Sequence, residues 1–222
     1  MKLSTATRIG LSTVFLAATV AQADVLTVAS YDMNNGHGQA SSGSFNYWDR
    51  AYSGAGSTIT DNALLSGGKG DLTDGLITAG NWYDVENSAG TGPYVGWRSF
   101  VLPAGPEITF HFASSVSISA IRIHADDSAG VGGVSLPSSV SFNGGTPILV
   151  TDPDAGSAPS WLEFAGLSLS GNSVQVKFGY GNEWVFVDEV QFIGSVPQPE
   201  TYAMMLAGLG LLAAAARTKS RT

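Results

Sequence analysis

No cysteine occurs in the 222 residues, which removes disulfides, thiolate metal sites and a cysteine nucleophile together. Basic residues are scarce as well. Between Asp24 and Val196 only Arg50, Lys69, Arg98, Arg122 and Lys177 stand against 17 acidic side chains. So acidic a stretch has no basic patch with which to hold phosphates, and nucleic acid is not expected as a partner. His37, His111 and His124 lack the paired or i, i+4 spacing of a zinc site. Neither a Gly-x-Ser-x-Gly nucleophile elbow nor a phosphate-binding loop is found. Helical periodicity is hard to find in the middle of the chain. Stability must therefore come from burial, helped by a cation if one binds.

What is there begins at the two ends. Lys2 and Arg8 precede an apolar run from Ile9 to Val20, and Ala21-Gln22-Ala23 gives the small-residue pattern that signal peptidase accepts. Residues 1–23 are read as a signal peptide cleaved after Ala23. At the other end, Val196-Pro197-Gln198-Pro199-Glu200-Thr201 leads into the apolar segment Tyr202 to Ala216, followed by Arg217, Lys219 and Arg221. Pro197 and Pro199 fix φ and remove backbone donors, so the stretch before Glu200 is expected to be extended and accessible to a processing enzyme. Ala203 to Ala216 would span about 21 Å as a helix against a hydrocarbon core of roughly 30 Å, a short membrane anchor. The trailing positive charges should stay cytoplasmic and leave the main domain outside.

This tail, through Tyr202-Ala203-Met204-Met205-Leu206, resembles the PEP-CTERM sorting signal of Gram-negative bacteria. The resemblance implies recognition by an exosortase, cleavage near Pro199-Glu200, transient anchoring in the inner membrane through the C-terminal helix, and delivery to the cell surface or its extracellular polysaccharide matrix. An ordinary C-terminal membrane anchor is the alternative.

Residues 24–196 then form one domain and 197–222 the sorting segment. Short runs of alternating or β-branched residues recur through the domain, separated by Gly, Ser, Asn and Pro. Strands are expected at Val25 to Tyr31, Trp97 to Leu102, Glu107 to Ala113, Val116 to His124, Ser139 to Asn143, Pro147 to Val150, Trp161 to Leu169, Val174 to Tyr180, and Trp184 to Ile193. In the fourth, Ile118, Ala120, Arg122 and His124 alternate against Ile121 and Ile123. From Asn34 to Gly70 long loops are expected, with a short strand around Phe45 to Tyr52. The fold class is all-β, a jelly-roll β-sandwich, with a closed barrel as its rival.

Gly70-Asp71-Leu72-Thr73-Asp74-Gly75 places two acids across a Gly-flanked turn, and the last strand carries Asp188-Glu189. Calcium takes six to eight hard oxygen ligands, so Asp71, Asp74 and one of Asp188 or Glu189 are the candidate metal residues. Successive strand residues face opposite sides, so only one of the last two should reach an ion. The competing reading makes Asp71 a cap and Asp74 an exposed turn aspartate. A sugar site needs an aromatic platform and planar polar groups on loops. Trp82 and Tyr83, flanked by Asn81 and Asp84, together with Asp126 and Asp127, are the candidate ligand residues; Trp97 and Trp184 are expected in the core. Asp126-Asp127 and Asp152-Pro153-Asp154 also read simply as soluble turns, with weak calcium binding as a further option.

In order, Leu72-Thr73-Asp74-Gly75, Trp82, Tyr94-Val95-Gly96-Trp97, Ile121-Arg122-Ile123-His124 and Trp184-Val185-Phe186-Val187-Asp188-Glu189-Val190 look like the galactose-binding-like sandwich of the discoidin and coagulation-factor type C group, over roughly Asp71 to Ile193. The resemblance implies a structural calcium joining Asp74 to Glu189. The function expected is that of an exported, non-catalytic protein that binds or organises exopolysaccharide. Its alternatives are a structural or protein-binding matrix component without a glycan site, and a glycan-active hydrolase using two carboxylates.

Overall fold

The computed structural model describes residues 24–38, 44–195 and 205–210. Residues Ala23–Val196 cluster into one unit, and at the other end 205–210 are helical. The signal peptide, Ala23, Pro197, Pro199, Glu200 and most of the expected apolar helix lie outside the described residues. Among the described residues no helix is long and apolar enough to cross a membrane.

Among the described residues nine strands carry the domain: β1 (Val25–Leu26), β2 (Ser30–Asn34), β3 (Leu64–Gly68), β4 (Val95–Arg98), β5 (Glu107–Ala125), β6 (Ser139–Phe142), β7 (Ile148–Leu149), β8 (Ser160–Gly179) and β9 (Trp184–Gly194). Three one-turn helices interrupt them: η1 (Asp71–Thr73), α1 (Trp82–Val85) and η2 (Val131–Gly133). All named strand pairings are antiparallel.

The expected pairs Glu107 to Ala113 with Val116 to His124, and Trp161 to Leu169 with Val174 to Tyr180, are each one long bent strand. Their register against each other shifts between His111 and Val116. Beyond that bend the partners change. The first half of β5 lies between β2 and the second half of β8, which continues to β6; the second half of β5 lies between β9 and the first half of β8. Strands that pass from one sheet to the other in this way turn the corners of a sandwich. The two layers meet through ring contacts such as Phe110 with Phe192 (5.0 Å) and Phe142 with Phe164 (5.4 Å). Burial of each such ring contributes about 1.5–3 kcal/mol.

A second shift in β5, between Ile118 and Ala120, makes Ser119 an extra residue against β9. Its hydroxyl donates to the carbonyl of Gly194 at 3.1 Å. The inward phase changes there, so Ile118 joins Ile121 and Ile123 in the core rather than alternating against them. The Phe45 to Tyr52 stretch holds only an isolated bridge at Phe45, and the strand of this region is β3. Gly96 on β4 is required by close approach: a Cβ there would fall 2.2 Å from the Phe186 ring.

Candidate functional site

The Gly70–Gly75 turn packs against the middle of β9, at Glu189. Asp71 opens η1, and its N–H donates to Oδ1 of Asp49 at 3.1 Å, while the hydroxyl of Tyr31 donates to Asp49 Oδ2. Only glycine fits before it, because a Cβ on Gly70 would lie 2.1 Å from Asp49 Oδ1. Asp74 accepts the N–H of Leu76 at 2.8 Å, which closes the turn, and Gly75 takes the positive φ of 82° that follows.

Asp188 and Glu189 were expected on opposite faces, yet both reach the same loop. Glu189 Oε2 accepts the N–H of Gly75 at 3.1 Å, and Asp188 Oδ2 accepts the N–H of Thr78 at 3.0 Å. A register shift explains this: Ala125 pairs with Val187 and His124 with Glu189, so Asp188 is a bulge residue outside the two-residue period. The other Asp188 oxygen is taken by Nδ1 of His124 at 2.6 Å.

Burial pushes Asp71 up to about 8, helped by the charges of Asp49, Asp74 and Glu86. Burial likewise raises Glu189 to about 7, against the opposing pull of the Gly75 N–H. Among the described residues no lysine or arginine pairs with Asp49, Asp71, Asp74 or Glu189. Thr73 Oγ1, in the same turn, is buried without a hydrogen-bond partner. Unneutralised hard oxygens and an orphaned hydroxyl suit a divalent cation of the calcium type. Asp71, Asp74, Asp188 and Glu189 do not bring three ligand oxygens within 4.8 Å of one another; among the described residues Asp127, Asp152 and Asp154 do, where the two acidic loops meet.

The four predicted ligand residues do not form one exposed surface. Trp82 is buried at 7 % exposure, packed edge-on against Phe45 (5.2 Å) and near Tyr47, because its N–H is fixed to Asp126 Oδ2 at 2.7 Å and its indole N–H donates to the carbonyl of Val131 at 3.3 Å. The expectation of an exposed Trp82 platform is thus overturned. Asp126 is fully buried, its second oxygen taken by the Ser128 hydroxyl at 2.7 Å, so it anchors α1. Burial raises it to about 6. Asp127 accepts the N–H of Ala129 at 3.1 Å. Tyr83 does lie on the surface. Trp97 and Trp184 are buried as expected.

Trp82 nevertheless lines a cleft of about 250 Å³, whose walls include Tyr47, Arg98, Glu183 and Trp184. The β4–β9 register sets Arg98 opposite Trp184, and Ser99 donates to the Glu183 carbonyl at 2.9 Å, so the side chains of Arg98 and Glu183 meet as an ion pair at the rim. The Arg98 guanidinium lies 5.5 Å from the ring centre of Phe100 and 5.3 Å from that of Trp184. Phe100 itself is 79 % exposed. A larger cavity of about 370 Å³ beside Leu149 and Trp161 is less suited to a sugar. There His124 lies 5.0 Å from the Trp161 ring and the Arg122 guanidinium 4.6 Å from it, so this indole already carries two packed neighbours.

Arg98, Phe100 and Glu183 were not singled out from the sequence. The aromatic-flanked Trp97-Arg98-Ser99-Phe100 was a signal for the first two; nothing in the sequence pairs Arg98 with a residue 85 positions away.

Comparison with known proteins gives two family matches. The discoidin domain-containing receptor 1/2, DS-like domain, matches residues 27–142. The PEP-CTERM protein-sorting motif matches residues 195–221 and implies an exported protein processed by an exosortase. No curated protein matches the chain. Among solved structures, a truncated AlyQ with CBM32 and alginate lyase domains is 12 % identical, with 58 % of this chain and 29 % of that chain covered and a TM-score of 0.35. The family 32 CBM of C. perfringens NanJ, solved with galactose, is 13 % identical, with 45 % and 75 % covered and a TM-score of 0.32. The CBM32 of AlyQ, in complex with 4,5-unsaturated mannuronic acid, is 15 % identical, with 45 % and 75 % covered and a TM-score of 0.30. The chain spans less than a third of the length of the first of these.

Proposed function

The chain belongs to the discoidin domain-containing receptor 1/2 DS-like domain family, and from that premise we propose that it is an exported, non-catalytic glycan-binding protein of the Gram-negative cell surface or its polysaccharide matrix. The observation that carries this reading is the rim of the 250 Å³ cleft, where Arg98 is paired with Glu183 and its guanidinium lies near the ring of Trp184, which lines the cleft, and near that of Phe100, an exposed neighbour outside the lining. Pyranose rings present an apolar C–H face and a belt of hydroxyls. An exposed aromatic ring suits the first, and planar donor and acceptor groups suit the second. Phe100 supplies the ring, Arg98 the donors and Glu183 the acceptors.

Calcium belongs to the same proposal as a structural ion. Asp71, Asp74 and Glu189 would hold it through carboxylates and Thr73 through its hydroxyl, and the ion would supply the positive charge this cluster lacks. It would tie the turn to the last strand. Export through the sorting motif, with cleavage near Pro199-Glu200, would bring the domain to the polysaccharide it binds. A glycan array probed with the full chain, with and without calcium, tests the reading. Retention on polysaccharide is expected, and no retention on any glycan, the host's own matrix included, removes it.

A further inference from the structure

We infer that the cleft selects neutral glycans over acidic ones, because Arg98, the only basic residue that lines it among the described residues, is already neutralised within the site by Glu183. The inference rests on the glycan-binding reading and narrows it to a substrate class.

Both partners of the pair are set by backbone. Arg98 stands opposite Trp184 on paired strands, and Ser99 holds the carbonyl of Glu183. Gly133, at φ 82°, leaves the room that Glu183 needs, since a Cβ there would fall 2.9 Å from the Glu183 Cβ. The guanidinium lies within 5.5 Å of two ring centres while it is paired with Glu183. Nε and Nη2 of Arg98 both turn to Glu183 Oε1, which leaves Oε2 of that carboxylate to accept a sugar hydroxyl. A uronate or sulfate would have to displace Glu183 from Arg98 and then sit beside the carboxylate it had freed.

The surroundings add to this. The whole domain carries 17 acids against five bases. Screening over about 8–10 Å at ordinary salt weakens the distant charges, so the local pair decides the preference.

Calorimetric titration of the full chain with neutral galacto- and gluco-oligosaccharides and with oligogalacturonate tests the inference. The neutral sugars are expected to bind at least tenfold more tightly, with affinity unchanged between about 50 and 500 mM salt. Glu183→Gln, which keeps the shape and removes the charge, is expected to raise oligogalacturonate affinity about tenfold. The salt series on the unaltered protein stands even if that variant folds poorly. Oligogalacturonate binding as tightly as the neutral sugars, or more tightly as salt falls, overturns the inference and leaves glycan binding intact. Binding of neither class overturns the glycan-binding reading itself.

Discussion

Glu189 accepts the backbone N–H of Gly75 at 3.1 Å although 114 positions separate them. That bond, with Asp188 on Thr78, fastens the acidic turn to the last strand through a bulge. Calcium bound here would stabilise the folded state by mass action. At 100 times its Kd the gain is about 2.7 kcal/mol, a rise in Tm of roughly 5–10 °C for a chain of this length. We expect chelator to abolish that rise and Asp74→Ala to melt at the same temperature with or without chelator. Identical melting of the unaltered protein in calcium and in chelator would exclude the site.

Trp82 and Tyr83 are adjacent in sequence but not in environment. Trp82→Ala should cost about 3–5 kcal/mol, as for other large core aromatics. Tyr83→Ala, at a residue 44 % exposed, should stay within about 0.5 kcal/mol. Urea denaturation of the two variants distinguishes them, and comparable losses would contradict the placement of Trp82 in the core.

Glu86 gives a pH dependence with a definite sign. Burial raises it to about 8, opposed by the N–H of Tyr94 and reinforced by Asp126. In the unfolded chain a glutamate titrates near 4.3, so between about pH 4.3 and 8 the native state holds a proton that the unfolded state has released. The stability this proton supports is complete below that window and is lost as pH rises through it, at about 1.4 kcal/mol per pH unit. Glu86→Gln can still accept from Tyr94 and cannot ionise. Urea unfolding in chelator from about pH 5 to 8 should show a slope shallower by about one proton in this variant. An unchanged slope would mean that Glu86 is charged in the fold.

The strand content, the sandwich and the Asp71–Asp74 turn were legible because they follow from local pattern: β-branched runs, Gly-flanked acids, Pro-Glu at the tail. The rest depended on register. Ser114-Ser115 and Ser170 to Ser173 fall between expected strands, but they lie within continuous strands that change sheets. Trp82 looked exposed because Asn81 and Asp84 flank it, yet Asn81 donates to the Ser128 hydroxyl at 3.0 Å, and that hydroxyl donates to Asp126, the buried anchor of α1. Asp188 and Glu189 escaped the two-residue period through one bulge. Arg98 and Glu183 meet because β4 pairs with β9, and no single-sequence pattern states that pairing.

Glycan binding at the Phe100 rim is tested most directly by titrating neutral galacto- and gluco-oligosaccharides into the full chain and its Phe100→Ala variant. The unaltered protein should bind, and the variant should bind at least tenfold more weakly, about 1.4 kcal/mol, with an unchanged Tm because Phe100 is exposed. Equal affinities in the two proteins, or no heat of binding in either, would contradict it.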